Sequence, residues 1–324
     1  MGVIDSLSAG YRYITERLYL LIIPVLLDLL LWRLPRLSLS SIFERLAVFY
    51  LEAAQVDGLS AELKTVTEQL AEMLKEIGHQ ANLWNLLVSD SLLHVPSVMV
   101  LVEPLAPTEL VELSDPFTVV SLMAFLLLAG FFIGVVYLGL LAKRLPIGEG
   151  EKNVDWPLFL INSGKRWLHV VLFVIAIIIG FLVLMIPISI GVTVLALISP
   201  GLASGITILL SGLIFVLFFY LYFVTAGLVM DDLTVFQAVS RSLRVVRNYF
   251  WSVFGFVLLI NVISGGLGTV FRQIATYTPA GTLAAILLNA YVGSGLAMAL
   301  LVFYRTRVLI LDEKVTLDQI IDQS

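Results

Sequence analysis

Six stretches of this chain run almost without charge, near 18–34, 117–142, 168–196, 204–230, 252–271 and 283–304. An α-helix of about 20 apolar residues crosses the ~30 Å hydrocarbon core of a bilayer. Runs of this length cannot be hidden in a soluble core. Of the 324 residues, 60% are apolar and 13% charged, against about 45–50% and 25% in soluble domains. Lipid offers no hydrogen bonds, so the backbone of each run must pair with itself, as a helix does. The expected fold class is an all-α integral membrane protein, with six transmembrane helices, amphipathic interfacial helices and a helical extracytoplasmic insertion.

The runs divide the chain. Residues 1–35 read as an interfacial helix and span 1, and 36–116 as an acidic extracytoplasmic insertion. Residues 117–311 read as a five-span bundle carrying an interfacial helix at 233–251, and 312–324 as a cytoplasmic tail. Asp28 and Trp32 interrupt the first run and no small-x-small cleavage site follows, so it reads as a retained span rather than a signal peptide. Cytoplasmic loops keep an excess of Lys and Arg. With the N-terminus inside, 13 of the 19 basic residues fall on the cytoplasmic side and six outside. Both termini are therefore expected in the cytoplasm of a cell whose inner membrane holds the protein.

The insertion carries twelve acidic and four basic residues between 36 and 115. Ser41 with Glu44 predicts a capping box opening a first helix that runs to the Asp57-Gly58 turn. Leu63, Val66, Leu70, Leu74 and Ile77 recur at helical spacing, with Gly78 placed to stop the second helix. The apolar stretch from Leu83 to Val102, interrupted by Pro96, predicts a cap resting on the outer face of the bundle or on lipid.

On the cytoplasmic side, Ser8–Arg12, Asn162–Arg166 and Ser240–Arg244 share a polar-x-small-x-Arg pattern followed by aromatic residues. The recurrence predicts three units of interfacial helix plus transmembrane hairpin. The third is the most informative. Thr234 and Gln237 form a capping box, and Phe236, Val239, Leu243, Val246 and Phe250 fall on one helical face. Arg241, Arg244 and Arg247 lie elsewhere around it, and Tyr249, Phe250 and Trp251 end it. A basic amphipathic helix of this kind lies in the headgroup layer. Arg241, Arg244, Arg247 and Trp251 are thus candidate lipid- or partner-binding residues.

The run Val229-Met230-Asp231-Asp232-Leu233-Thr234, with Ala238–Ser242 and Asn248–Trp251, resembles the recurring segment of a bacterial group of six-span membrane proteins of unknown function. That group is similar to the membrane domain fused to some glycerophosphodiester phosphodiesterases. The opening Gly10-Tyr11-Arg12, continuing through Leu20–Asp28, is similar to its first segment. The resemblance implies architecture and no catalytic residue. The phosphodiesterase barrel needs about 250 soluble residues, and the chain has no such segment.

Asp28, Asn261 and Asn289 are the strongly polar residues singled out inside the runs. A carboxylate at mid-helix in lipid costs roughly 2.5–3.5 kcal/mol, so Asp28 must face the bundle, water or a partner. Ser264-Gly265-Gly266, Gly268 and Gly293-Ser294-Gly295 predict close packing of spans 5 and 6, and Gly130 with Gly134 predicts helix packing at span 2. The three histidines, His79, His94 and His169, show no metal-ligand spacing. There are no cysteines, which excludes disulfides and thiolate chemistry. No phosphate-binding glycine loop is present.

These features predict no cofactor, no metal and no catalytic residue. The expected partners are membrane lipids, anionic ones included, and a protein partner, but not nucleic acid. The leading expectation is a non-enzymatic assembly, lipid-organising or partner-binding component. The alternative is a small transporter or permease with a midplane polar site at Asp28, Asn261 and Asn289.

Overall fold

A computed structural model describes residues 2–55, 61–88, 90–100, 102, 110–145 and 155–321. The described residues form α1 (Val3–Glu16), α2 (Ile22–Arg33), α3 (Ser40–Ala54), α4 (Ala61–Gln80), α5 (Asp90–Leu93), α6 (Pro116–Lys143), α7 (Trp156–Ile198), α8 (Pro200–Tyr220), α9 (Val224–Met230), α10 (Val235–Asn248), α11 (Phe250–Ala275) and α12 (Pro279–Ile321). Strands β1 (Arg36–Ser38) and β2 (Leu110–Glu112) pair in parallel, tying the exit of α2 to the approach to α6. This is an all-α, multi-pass membrane protein. Among the described residues, five stretches are long and apolar enough to span: α6, α7, α8 with α9, α11, and Pro279–Glu313 of α12.

The first apolar run departs from expectation. It divides into a 3-10 turn, Leu18–Leu21, and the 12-residue α2, which is only about 18 Å long. Pro24 explains the break. In a continuous helix its nitrogen would bond the Leu20 carbonyl, but proline has no N–H and its ring crowds that carbonyl. In the first turn of a new helix the missing donor costs nothing.

The segment before span 3 behaves in the opposite way. The expected interfacial helix and span are one unbroken 43-residue helix, α7, capped by Asp155, whose carboxylate accepts from the Leu158 N–H at 3.5 Å. Of the three recurring segments, only the first and third break before their apolar run, at Arg17 and at Tyr249. Span 4 is also interrupted, between α8 and α9. There Ser242 of α10 donates to the Tyr220 carbonyl at 2.7 Å and accepts from the Phe223 N–H at 3.2 Å. One side chain thus satisfies two backbone groups freed by the break. The expected tail at 312–324 continues α12 as far as Ile321.

α12 is the central helix. Of its apolar window 67% is buried, against 6% for α7. α1 crosses it where Gly10 meets Gly295 and Ala299; a Cβ on Gly10 would lie 2.5 Å from the Ala299 nitrogen. α11 runs antiparallel to it, with the Phe256 and Phe303 rings stacked at 4.3 Å.

Beyond α2, α3 and α4 form the expected hairpin; its Asp57-Gly58 turn lies outside the described residues. Two local expectations fail. α3 begins at Ser40 without a side-chain cap, and Ser41 instead donates to Glu112 at 3.1 Å. Gly78 does not end α4, which continues to Gln80. Its role is close approach, since a Cβ there would lie 2.6 Å from Cβ of Phe43 on α3.

The largest departure concerns the described residues 83–88 and 90–99. Rather than capping the bundle, they enter it. The Leu86 and Leu87 carbonyls pack on Gly130, Leu93 on Gly134, and Pro96 on Gly293. Gly130 and Gly134 lie near the middle of α6. The chain turns at His94, whose φ of 53° is in the left-handed region. It returns beside α2, where Val98, Met99 and Val102 join Leu31, Phe271, Ala275, Ala285 and Ile286 in one buried cluster. The glycines at 130, 134 and 293 therefore admit an inserted loop, not a neighbouring span. Non-helical backbone is tolerated at membrane depth when protein surrounds it.

Candidate functional site

Two regions concentrate the polar groups of this apolar molecule. The first surrounds α10. The capping box forms, with the Thr234 N–H donating to Gln237 Oε1 at 3.1 Å. The face that docks on the bundle is Ala238, Ser242, Val245 and Val246, while Phe236 is 83% exposed and Leu243 is exposed. The expected apolar stripe of Phe236, Val239, Leu243, Val246 and Phe250 thus faces largely outward. Small side chains allow close helix contact, and lipid accepts the bulkier ones.

Two adjacent acids preceding α10 hold it to two other helices, α7 and α12. Asp231 is nearly buried. Its Oδ2 accepts from Arg241 at 2.9 Å and from the Tyr304 hydroxyl at 2.8 Å, and its Oδ1 from Arg305 at 3.0 Å. Asp232, with φ of 52°, takes a bidentate pair from Arg166 of α7 at 2.6 and 2.9 Å. The Arg166 side chain is 10% exposed and that of Asp232 63%. A nearly buried guanidinium requires such a partner. Burial disfavours the Arg241 charge, and Tyr304 and Asp231 more than offset it, so its pKa is raised.

The candidate binding residues accordingly separate. Arg241 is half-buried and committed to Asp231. Arg244 and Arg247 are exposed and in no ion pair among the described residues. Trp251 is 80% exposed at the start of α11. A groove of about 270 Å³ runs over Leu233, Phe236, Gln237, Ser240, Arg241 and Arg244.

The second region lies around the inserted loop. Asp28 is fully buried. Its carboxylate accepts from the Ser97 hydroxyl, from the Val98 N–H at 3.0 Å and from the Met99 N–H at 3.4 Å. These donors all come from the loop, and Arg33 lies over the Trp32 ring. Asn289 lines a cavity shared by the loop, α11 and α12, and its Nδ2 is buried without a hydrogen-bond partner among the described residues. Asn261 is elsewhere, on an exposed face of α11, donating to the Val257 carbonyl of its own helix at 2.8 Å. Asp28 and Asn289 thus flank one segment, and Asn261 does not join them.

Close packing does not explain the glycines of α11. Gly265, Gly266 and Gly268 have no atom within 4 Å of an added Cβ among the described residues. Gly295 accommodates Tyr11, and Ser294 accepts from the Tyr137 hydroxyl at 2.8 Å. His94 lies against the Tyr222 ring at 5.7 Å, and His79 is 3.8 Å from Glu44 on the hairpin. Among the described residues no three His, Asp or Glu side chains are grouped to hold a metal ion.

In the sequence Asp231 and Asp232 stand only as the residues before the helix at 233–251, and their role as its clamp is missed. The available signal was two adjacent acids ending an apolar run. Ser97 carried no signal, because its importance comes from a contact with a residue 69 positions earlier.

No curated protein and no solved structure matches this chain. A family model described as a domain of unknown function, DUF7847, matches residues 86–313, from the inserted loop to the far part of α12, more than two thirds of the chain. The chain belongs to the DUF7847 family.

Proposed function

We propose that this protein is a non-catalytic, six-span component of the bacterial inner membrane that holds anionic lipid headgroups against α10. The carrying observation is the outward pair Arg244 and Arg247 on a helix whose Arg241 is already occupied by Asp231. Exposed Phe236 and Trp251 at either end supply apolar anchors. Each arginine near an anionic leaflet contributes about 1 kcal/mol. Tryptophan favours the same interfacial layer.

In this reading the sixth span is the run from α1 through α2, and both termini are cytoplasmic. The concentration of Lys143, Arg144, Arg166, Arg241, Arg244, Arg247, Arg305 and Arg307 towards the α10 end supports that orientation. Kinship with the membrane domain fused to some glycerophosphodiester phosphodiesterases is part of the proposal. It rests on Val229–Thr234 and Asn248–Trp251 and carries no phosphodiesterase activity with it. A permease built on Asp28, Asn261 and Asn289 is less well supported, because Asn261 bonds its own helix on an exposed face.

Native mass spectrometry of protein extracted from its own membranes tests the reading. Replacing Arg244 and Arg247 with glutamine leaves the Arg241–Asp231 pair in place. The expected result is reduced retention of phosphatidylglycerol and cardiolipin. Retention equal to wild type contradicts the proposal.

A further inference from the structure

We propose that the cavity between the inserted loop, α11 and α12 binds the uncharged, oxygen-bearing end of a membrane lipid, with a carbonyl or hydroxyl oxygen accepting from Asn289. The cavity is about 80 Å³. Roughly 10–15 Å³ of such space suffices for one water, so it admits a group of several heavy atoms. Gly268 is buried on its wall, and an added Cβ there would meet no atom within 4 Å among the described residues. The open space beside Gly268 is this same cavity, and the unpartnered Asn289 amide lies on its lining.

The chemistry of the wall selects the occupant. Among the described residues no Asp, Glu, Lys or Arg lines the cavity, so an ionised headgroup would find no counter-charge there and lose its hydration. Its polar side chains are Asn289, Ser97, Ser264 and His94, and the Ser97 hydroxyl is already donated to Asp28. The other lining side chains are aliphatic apart from Phe271. An amphiphile with an acceptor oxygen and an apolar remainder matches an uncharged wall of mixed character in which the buried Asn289 amide offers an unused donor beside aliphatic side chains. Such a donor left unmatched costs about 1–3 kcal/mol.

The route of entry agrees. Ser264 and Leu267, at the rim, are exposed on α11, and Val262, Val270, Leu287 and Leu288 around them are exposed and apolar. On a spanning helix that surface meets acyl chains. The occupant enters sideways from the bilayer and leaves its tails outside. This site is separate from α10 and does not depend on the headgroup proposal.

The test uses full-length protein in phosphatidylcholine nanodiscs containing diacylglycerol with a diazirine near its ester, and in parallel phosphatidylglycerol carrying the same diazirine. Adducts are expected on the cavity-lining parts of α11 and α12. In Asn289→Leu and in Gly268→Leu, labelling is expected to fall by about fivefold or more, the loss attending one hydrogen bond. Gly268→Leu fills the cavity without altering Asn289, so the test survives if Asn289→Leu does not fold. Labelling by diacylglycerol alone assigns the acceptor to its hydroxyl, and labelling by both probes assigns it to the shared ester carbonyl. Either result sustains the proposal. No adducts on these helices in wild-type protein, or undiminished labelling in folded Gly268→Leu, overturns it.

Discussion

Asp28 of α2 accepts a hydrogen bond from the backbone N–H of Val98 at 3.0 Å, across 70 positions of sequence. With Ser97 and Met99 also donating to the same carboxylate, one buried acid binds a non-helical segment to the bundle. Asp28→Ala strands three donors in an apolar setting, each unmet donor costing about 1–3 kcal/mol before relaxation. The expected result is a markedly lower thermal midpoint in detergent and faster proteolysis between residues 83 and 99. A midpoint equal to wild type would show that the carboxylate does not hold the loop.

The glycines should divide into two classes. At Gly130 an added Cβ would lie 2.4 Å from the Leu86 carbonyl oxygen, a backbone atom unable to swing aside. Gly130→Ala is expected to destabilise by about 1–3 kcal/mol through overpacking. At Gly212 nothing lies within 4 Å among the described residues. There Gly→Ala is expected to be neutral or to stabilise by up to about 1 kcal/mol, from helix propensity. Equal effects in paired melts would contradict the inserted position of the loop.

The Asp231 cluster should behave as a coupled unit. Tyr304→Phe removes one donor to Asp231, at an expected cost of about 0.5–1.5 kcal/mol. Combined with Asp231→Asn in a double-mutant cycle, it should show a coupling of about 0.5 kcal/mol or more. Additive single effects would mean that the bond contributes nothing to stability.

Asp115 caps α6, accepting from the Thr118 hydroxyl at 2.6 Å and from its N–H at 2.8 Å. These donors, the hydroxyl foremost, hold its pKa below the ordinary carboxylate value. A depressed folded pKa stabilises above the unfolded value, and that contribution disappears as pH falls through the folded one. The protection of residues 117–119 against hydrogen exchange, relative to the intrinsic rate at each pH, is therefore expected to fall on acidification below about pH 4, the ordinary range of aspartate. Asp115→Asn, which does not titrate, should remove that dependence; its persistence would assign the effect elsewhere.

What was legible in the residues was set by averaging. A run of twenty apolar side chains has one solvent it can tolerate, so 117–142, 252–271 and 283–304 fall inside helices of the structure. The periodicity of α10 identified a helix but not its docked face, because protein and lipid are both apolar and Ala238 with Ser242 was the quieter side. Leu83–Val102 has the same composition whether it lies over a bundle or within one. Gly130 and Gly134 announced a close approach without naming what approached. Asp28 required a partner by its cost alone, but backbone N–H groups bear no residue signature. The Pro24 break was written in the sequence and outweighed by the hydropathy around it.

The central claim is that residues 83–88 and 90–99 are folded inside a membrane bundle, and the absence of cysteine from the sequence makes a direct test simple. Single cysteines replace Val98, which is 1% exposed, and Met73 on α4, which is 54% exposed. Open membrane fragments are then treated with a charged maleimide. Met73→Cys is expected to label fully while Val98→Cys stays unlabelled until the protein is denatured. Equal labelling of the two in folded protein would contradict the account.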